Sequence, residues 1–183
     1  MRHIRFVLSV IAVVACAASA FAFTVEPVPE WNELFDAHRV TGVVLVYDDS
    51  ADRYYSSAPL RINDRFLPAS TFKVLSSLIA LETRVVSDET QIIPWNRTER
   101  EVATWNRDMD MREAIACSAV WVYQELARKI GPERMNFWVR RANYGNGNTG
   151  GAIDSFWLDG NLRVSPLEQL EFMRRLKTGR LPF

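Results

Sequence analysis

The sequence predicts an α+β fold in which helices pack on an antiparallel sheet. A Val-rich stretch and a short partner flank a turn-forming cluster near the start, and a series of capped helix signals follows Pro68. Strands first and helices later is the α+β pattern, in contrast to the strict alternation of a parallel-sheet protein. The 183 residues are enough for one domain with a real core, and 48% apolar and 24% charged content is ordinary for a globular chain.

The first residues predict export. Arg2, His3 and Arg5 precede an apolar run from Phe6 to Ala15, and Ala20-Phe21-Ala22 supplies an A-x-A site. Residues 1–22 therefore read as a secretory signal peptide, and the run is short for a membrane span. Val13-Val14-Ala15-Cys16 also resembles a bacterial lipobox, so a lipid anchor at Cys16 is the alternative to cleavage after Ala22. Either route takes the protein out of the cytoplasm, to the periplasm or, as a lipoprotein, to the outer membrane. The 22 basic and 22 acidic residues cancel, which excludes a strongly basic nucleic-acid binder. Two lone Cys and two His do not make a metal site.

After the signal, Val25 to Pro29 is Pro-punctuated and extended, and Trp31 to Ala37 suits a short helix. Val40 to Tyr47 reads as a central strand, with Asp48 to Asp52 as turn and Arg53 to Ser56 as hairpin partner. From Ser70 through Glu82 there is no Gly or Pro, and Phe72, Leu75, Leu78, Ile79 and Leu81 fall on apolar helical positions. Met111 to Ala116 reads as a short helix. Val120 to Lys129 is a longer one, ended by Gly131, and Pro132 opens the next through Arg141. Asn143 to Gly151 holds four Gly and three Asn and is a loop. Ser165-Pro166-Leu167-Glu168 is a capping box that opens a helix to about Leu176.

Chemistry concentrates in four short segments. In Ser70-Thr71-Phe72-Lys73 the hydroxyl and the amine lie three apart, on one helix face. A serine needs an adjacent base, and a lysine can be that base only where burial removes its proton. By itself S-x-x-K occurs by chance about once in a chain this long. Ser118, in Ser118-Ala119-Val120, is either an N-cap for the following helix or a proton relay set on a tight turn. Tyr144-Gly145-Asn146 sits in the Gly/Asn-rich loop and satisfies ordinary turn chemistry. Trp157, in Phe156-Trp157-Leu158, is a core aromatic or an N–H donor to a buried anion.

Taken together, in this order and spacing, the four segments resemble the class D (oxacillinase-type) serine β-lactamases. Connecting text matches too: Ser77-Leu78-Ile79-Ala80-Leu81-Glu82, Trp121-Val122-Tyr123-Gln124 and Ser165-Pro166-Leu167-Glu168-Gln169. The resemblance runs from about Trp31 to the last residue. It implies the fold shared by serine β-lactamases and penicillin-binding transpeptidases. It also implies Ser70 as nucleophile, Ser118 as relay, and a Lys73 that carries CO2 as a carbamate (N6-carboxylysine). No cofactor beyond CO2 or bicarbonate is implied, and the partner would be a β-lactam. Phe72, Val120, Trp157 and Leu158 would form the apolar pocket around Lys73, with Trp157 as donor to the carbamate, while Tyr144 and Asn146 would shape the site wall. Such an enzyme confers antibiotic resistance.

One departure matters. The family's Lys-Thr/Ser-Gly box belongs on a strand beside the nucleophile. Lys177-Thr178-Gly179 follows the last helix without room for that strand and reads as a C-cap with Gly at C′. The expectation is therefore a chain truncated after Phe183, with residues 23–183 forming the N-terminal part of the domain, and inactive by itself. A penicillin-binding sensor or a DD-peptidase-type domain, acylated without efficient hydrolysis, is the alternative reading.

Overall fold

Ser57 decides where the first hairpin stops. Its hydroxyl accepts the Val44 N–H at 3.1 Å, and the Val44 carbonyl takes the Ser57 N–H at 3.1 Å and the Ser56 hydroxyl at 2.8 Å. With the Val44 N–H on a serine hydroxyl instead of a backbone carbonyl, the regular ladder begins one residue later. The expected strand over Val40 to Tyr47 is thus shortened to β2, Leu45–Asp48, which pairs antiparallel with β3, Arg53–Ser56. The computed structural model describes residues 24–183. The expected signal peptide and Cys16 lie outside the described residues.

The sheet has three strands in the order β1-β3-β2, where β1 is Val25–Pro27. β3 is the middle strand, and β2, expected to be central, is at the edge. β1 runs parallel to β3, so the sheet is mixed where an all-antiparallel one was expected. A three-residue strand carries too little pattern to reveal its direction. Gly42 lies against the Phe35 ring of α1 (Asn32–Ala37), and a Cβ there would come within 2.2 Å of the ring.

The helical part follows the sequence punctuation closely. A single 3-10 turn, Ala69–Thr71, leads into α2, Phe72–Glu82. α3 is Met111–Ala116, opened by a capping box between Asp110 and Glu113. α4, Val120–Ile130, ends at Gly131, whose φ of +79° no L side chain adopts easily, and Pro132 starts α5, Pro132–Arg141. α6, Pro166–Lys177, has the expected capping box. Ser165 Oγ accepts the Glu168 N–H at 3.2 Å, and the Glu168 carboxylate accepts the Ser165 N–H at 2.9 Å.

The core lies between α2 and α4 and continues under the loop before α6. Phe72, Leu75 and Ile79 of α2 and Trp121, Val122 and Leu126 of α4 are fully buried. Burying one such side chain stabilises by about 1.5–3 kcal/mol. α6 fastens the sheet to this body. Arg174 lies 3.8 Å from the Tyr47 ring centroid and donates to the Tyr47 hydroxyl at 2.9 Å, while Tyr54 donates to Glu171 at 2.5 Å. Burial and the Glu171 carboxylate push the Tyr54 phenol up to about 12, so it stays a donor. No helix of the described residues is long and apolar enough to cross a membrane.

Candidate active site

Two helix ends and one loop bring Ser70, Lys73 and Ser118 together. Ser70 lies in the 3-10 turn before α2, where the backbone is held from outside the helix: the Ala69 N–H donates to the Trp157 carbonyl at 3.0 Å. Thr71 Oγ1 closes the same turn on the Pro68 carbonyl at 2.7 Å. Ala69 has φ +47°, a left-handed conformation that costs a non-Gly residue about 1–2 kcal/mol. Backbone strain of this kind persists only where surrounding structure over-determines it.

Lys73, the second residue of α2 and one turn after Ser70, is 1% exposed. Its Nζ donates to Ser70 Oγ at 2.7 Å and to Ser118 Oγ at 3.0 Å, and the two hydroxyls are 2.9 Å apart. The three atoms close a triangle. Burial holds the Lys73 amine below the usual lysine range, with nearby Cys117 pulling weakly the other way. The amine also faces the ring of Tyr123 at 5.6 Å from its centroid, a contact that favours a cation. The Tyr123 hydroxyl is engaged with Ser77 Oγ at 3.0 Å and does not compete for the lysine.

Ser118 is not an N-cap. The cap of α4 is Ala119, with no side-chain bond. Ser118 instead follows α3 with φ +55°. The Ala119 N–H bonds back to the Ala114 carbonyl at 2.8 Å and the Ser118 N–H to Ile115 at 3.3 Å. That pair of bonds is a Schellman turn with Ser118 at C′, the position Gly normally fills. The turn aims the hydroxyl at Lys73.

The remaining expected site residues divide. Phe72 is fully buried and stacks on Trp157, centroids 5.4 Å apart at 27°, with Phe156 edge-on at 5.2 Å. Leu158 packs, half-buried, against the same core, and Val120 is half-buried as the first residue of α4. Trp157 Nε1 is buried and finds no acceptor among the described residues. Tyr144 is buried beside Phe72 and donates to Gln169 at 2.6 Å. Burial pushes its phenol up to about 12, so it supports the pocket from behind. Asn146 is exposed. Its amide donates to the Asn161 carbonyl and its oxygen accepts from the Arg163 and Asn148 N–H groups, so it organises its loop. Lys177-Thr178-Gly179 ends α6, and Lys177 donates to Asp49 at 2.6 Å, in the hairpin turn. Missed by sequence reasoning were the role of Trp105, whose indole N–H donates to the Cys117 carbonyl at 3.0 Å, and the Tyr123 ring facing Lys73. No local pattern marks either one.

Comparison with known proteins bears directly on this arrangement. The penicillin binding protein transpeptidase domain matches residues 37–181. The β-lactamase OXA-48 of Klebsiella pneumoniae is 44% identical over 151 residues, which cover 82% of this chain and 57% of that protein. OXA-10 of Pseudomonas aeruginosa is 38% identical over 170 residues, covering 92% and 64%. Among solved structures, the class D β-lactamase YbXI from Nostoc superposes with a TM-score of 0.79 at 43% identity, covering 83% of this chain and 64% of that one. This chain thus spans about three fifths of the length of these relatives.

Proposed function

Because this chain belongs to the penicillin-binding protein transpeptidase family, in its class D β-lactamase branch, we propose that the whole protein hydrolyses β-lactams through an acyl-enzyme on Ser70. The observation that carries the reading is the triangle. A buried amine with a depressed proton affinity stands 2.7 Å from one hydroxyl and 3.0 Å from a second.

Residues around Lys73 fit CO2 on its amine. Only an uncharged amine reacts with CO2, and burial favours that form. A carboxylate there would need donors, and Trp157 Nε1 is a buried donor without an acceptor among the described residues. Trp157 and Ser70 would hold the group. When bound, it supplies a carboxylate base at Lys73. Ser70 gives up its proton on the Lys73 side and attacks the lactam carbonyl. Ser118, within reach of both groups, passes a proton to the leaving nitrogen. Backbone N–H groups at the start of α2 face the developing oxyanion. Water then releases the acyl group. Residues 1–22 would direct the protein to the periplasm, or Cys16 would anchor it by lipid.

Penicillin hydrolysis by the whole protein should rise on adding bicarbonate and vanish in Lys73→Ala. Hydrolysis indifferent to both would sink the carbamate reading. Stable acylation without release would support the sensor or DD-peptidase reading instead. The 183-residue chain on its own should show no turnover, since Lys177-Thr178-Gly179 sits at a helix end and makes no bond to Ser70 or Lys73.

A further inference from the structure

Ser118 holds its hydroxyl in place from a left-handed backbone, with φ +55°. The two Schellman bonds engage the Ala114 and Ile115 carbonyls and leave the Cys117 carbonyl, immediately before Ser118, unsatisfied by the helix. At an exposed helix end water would take such a carbonyl. Here the indole N–H of Trp105, 12 residues upstream, donates to it at 3.0 Å. An indole has this single donor and no acceptor, so the bond uses all of its polar capacity.

Trp105 is itself fixed. It closes a 3-10 turn, Ala103–Trp105, with its N–H on the Val102 carbonyl at 2.9 Å. Reciprocal bonds clamp the ends of that loop: the Arg100 N–H donates to Asn106 Oδ1 and the Asn106 amide to the Arg100 carbonyl, both at 2.9 Å. The Arg100 guanidinium lies 5.2 Å from the ring of buried Trp121 in α4, which begins two residues after Ser118. Both flanks of the strained serine are therefore tied to one loop.

We infer that Trp105 is a positioning residue: by holding the Cys117 carbonyl, its N–H keeps the Ser118 hydroxyl between Lys73 and Ser70. The consequence for catalysis rests on the reaction proposed above, whereas the tether itself does not. Two replacements separate the N–H from the ring. Trp105→Phe removes the donor and part of the ring, and 3-benzothienylalanine at position 105 keeps the bicycle and lacks only the N–H. In both, amide hydrogen exchange at Ser118 and Ala119 should quicken about tenfold, while amides of Val122 to Ile130 change less than twofold. Acylation of Ser70 by a penicillin in the whole protein should slow about tenfold, read by intact mass. That loss should disappear in a Ser118→Ala background. Unchanged exchange at Ser118 and Ala119, a uniform rise across α4, or an equal acylation loss with and without the Ser118 hydroxyl would each overturn the inference. Quickened exchange in a protein that no penicillin acylates would keep the tether and overturn the proposed reaction.

Discussion

The ends of α3 and α6 are the same backbone device made from different residues. At α6 the Gly179 N–H bonds to the Leu176 carbonyl at 3.2 Å and the Arg180 N–H to Arg175 at 2.8 Å, with Gly179 at φ +63°. At α3 the bonds from Ser118 and Ala119 repeat this, and Ser118 stands at φ +55° where α6 has glycine. Glycine takes that conformation without strain, and serine pays about 1–2 kcal/mol. Only the α3 turn faces a buried lysine. Strain alone does not mark a used side chain, since α1, α2 and α5 close the same way on Arg39, Arg84 and Asn143; what sets Ser118 apart is the lysine its hydroxyl meets.

The sharpest way to break this contrast is to exchange the residues. Ser118→Gly relaxes the α3 turn and removes the hydroxyl, and Ser118→Ala keeps the strain and removes only the hydroxyl. Both should lower kcat/KM for penicillin hydrolysis by about 10²–10⁴-fold, the usual worth of positioned proton transfer. They should differ in stability, Ser118→Gly being the firmer by about 1 kcal/mol in urea denaturation. If Ser118→Gly is the less stable of the two, the strain assigned to the turn is wrong.

The next effect lies in Lys73 and depends on pH. Its folded proton affinity is depressed by burial, so in bicarbonate-free buffer the unfolded chain binds the extra proton. The fold is weakened wherever the unfolded lysine is charged and the folded one is not. Stability relative to Lys73→Met should therefore rise with pH from the depressed folded value up to about 10.4, the ordinary lysine value. Above that the penalty is gone, and as the pH falls it returns. Parallel urea midpoints for the two proteins across that range would contradict a depressed amine.

The smallest effects belong to α6. Gly179→Ala should cost about 1 kcal/mol of stability and leave acylation of Ser70 unchanged. Lys177→Ala, which removes a bond to Asp49 between two exposed side chains, should leave acylation within twofold of the parent. A large activity loss from either would return Lys177-Thr178-Gly179 to the site.

Legibility followed punctuation. α5 begins at Pro132 and ends at Arg141 as expected because Gly131 and Pro132 each have one local meaning. The Ser165 capping box is a contact within four residues, so its chemistry is written locally. Ser70 and Lys73 share a face by helical spacing alone. The placement of Ser118 was open between two readings, since ruling out the cap depends on a left-handed turn and the contact with Lys73 lies 45 residues away. The parallel pairing of β1 and the Trp105 bond depend wholly on tertiary placement, and neither leaves a periodic trace.

The triangle of Lys73, Ser118 and Ser70 has a further property. Hydroxyl protons rotate to suit their partners, and either serine can be the donor across the 2.9 Å edge. Lys73 donates to both oxygens, so the freedom left is which serine donates to the other, and that choice changes with the heavy atoms unmoved. In one setting Ser118 donates to Ser70, and in the other Ser70 donates to Ser118. The pair thus exchanges donor and acceptor by turning hydrogens instead of side chains, so its polarity can be reversed without cost in packing.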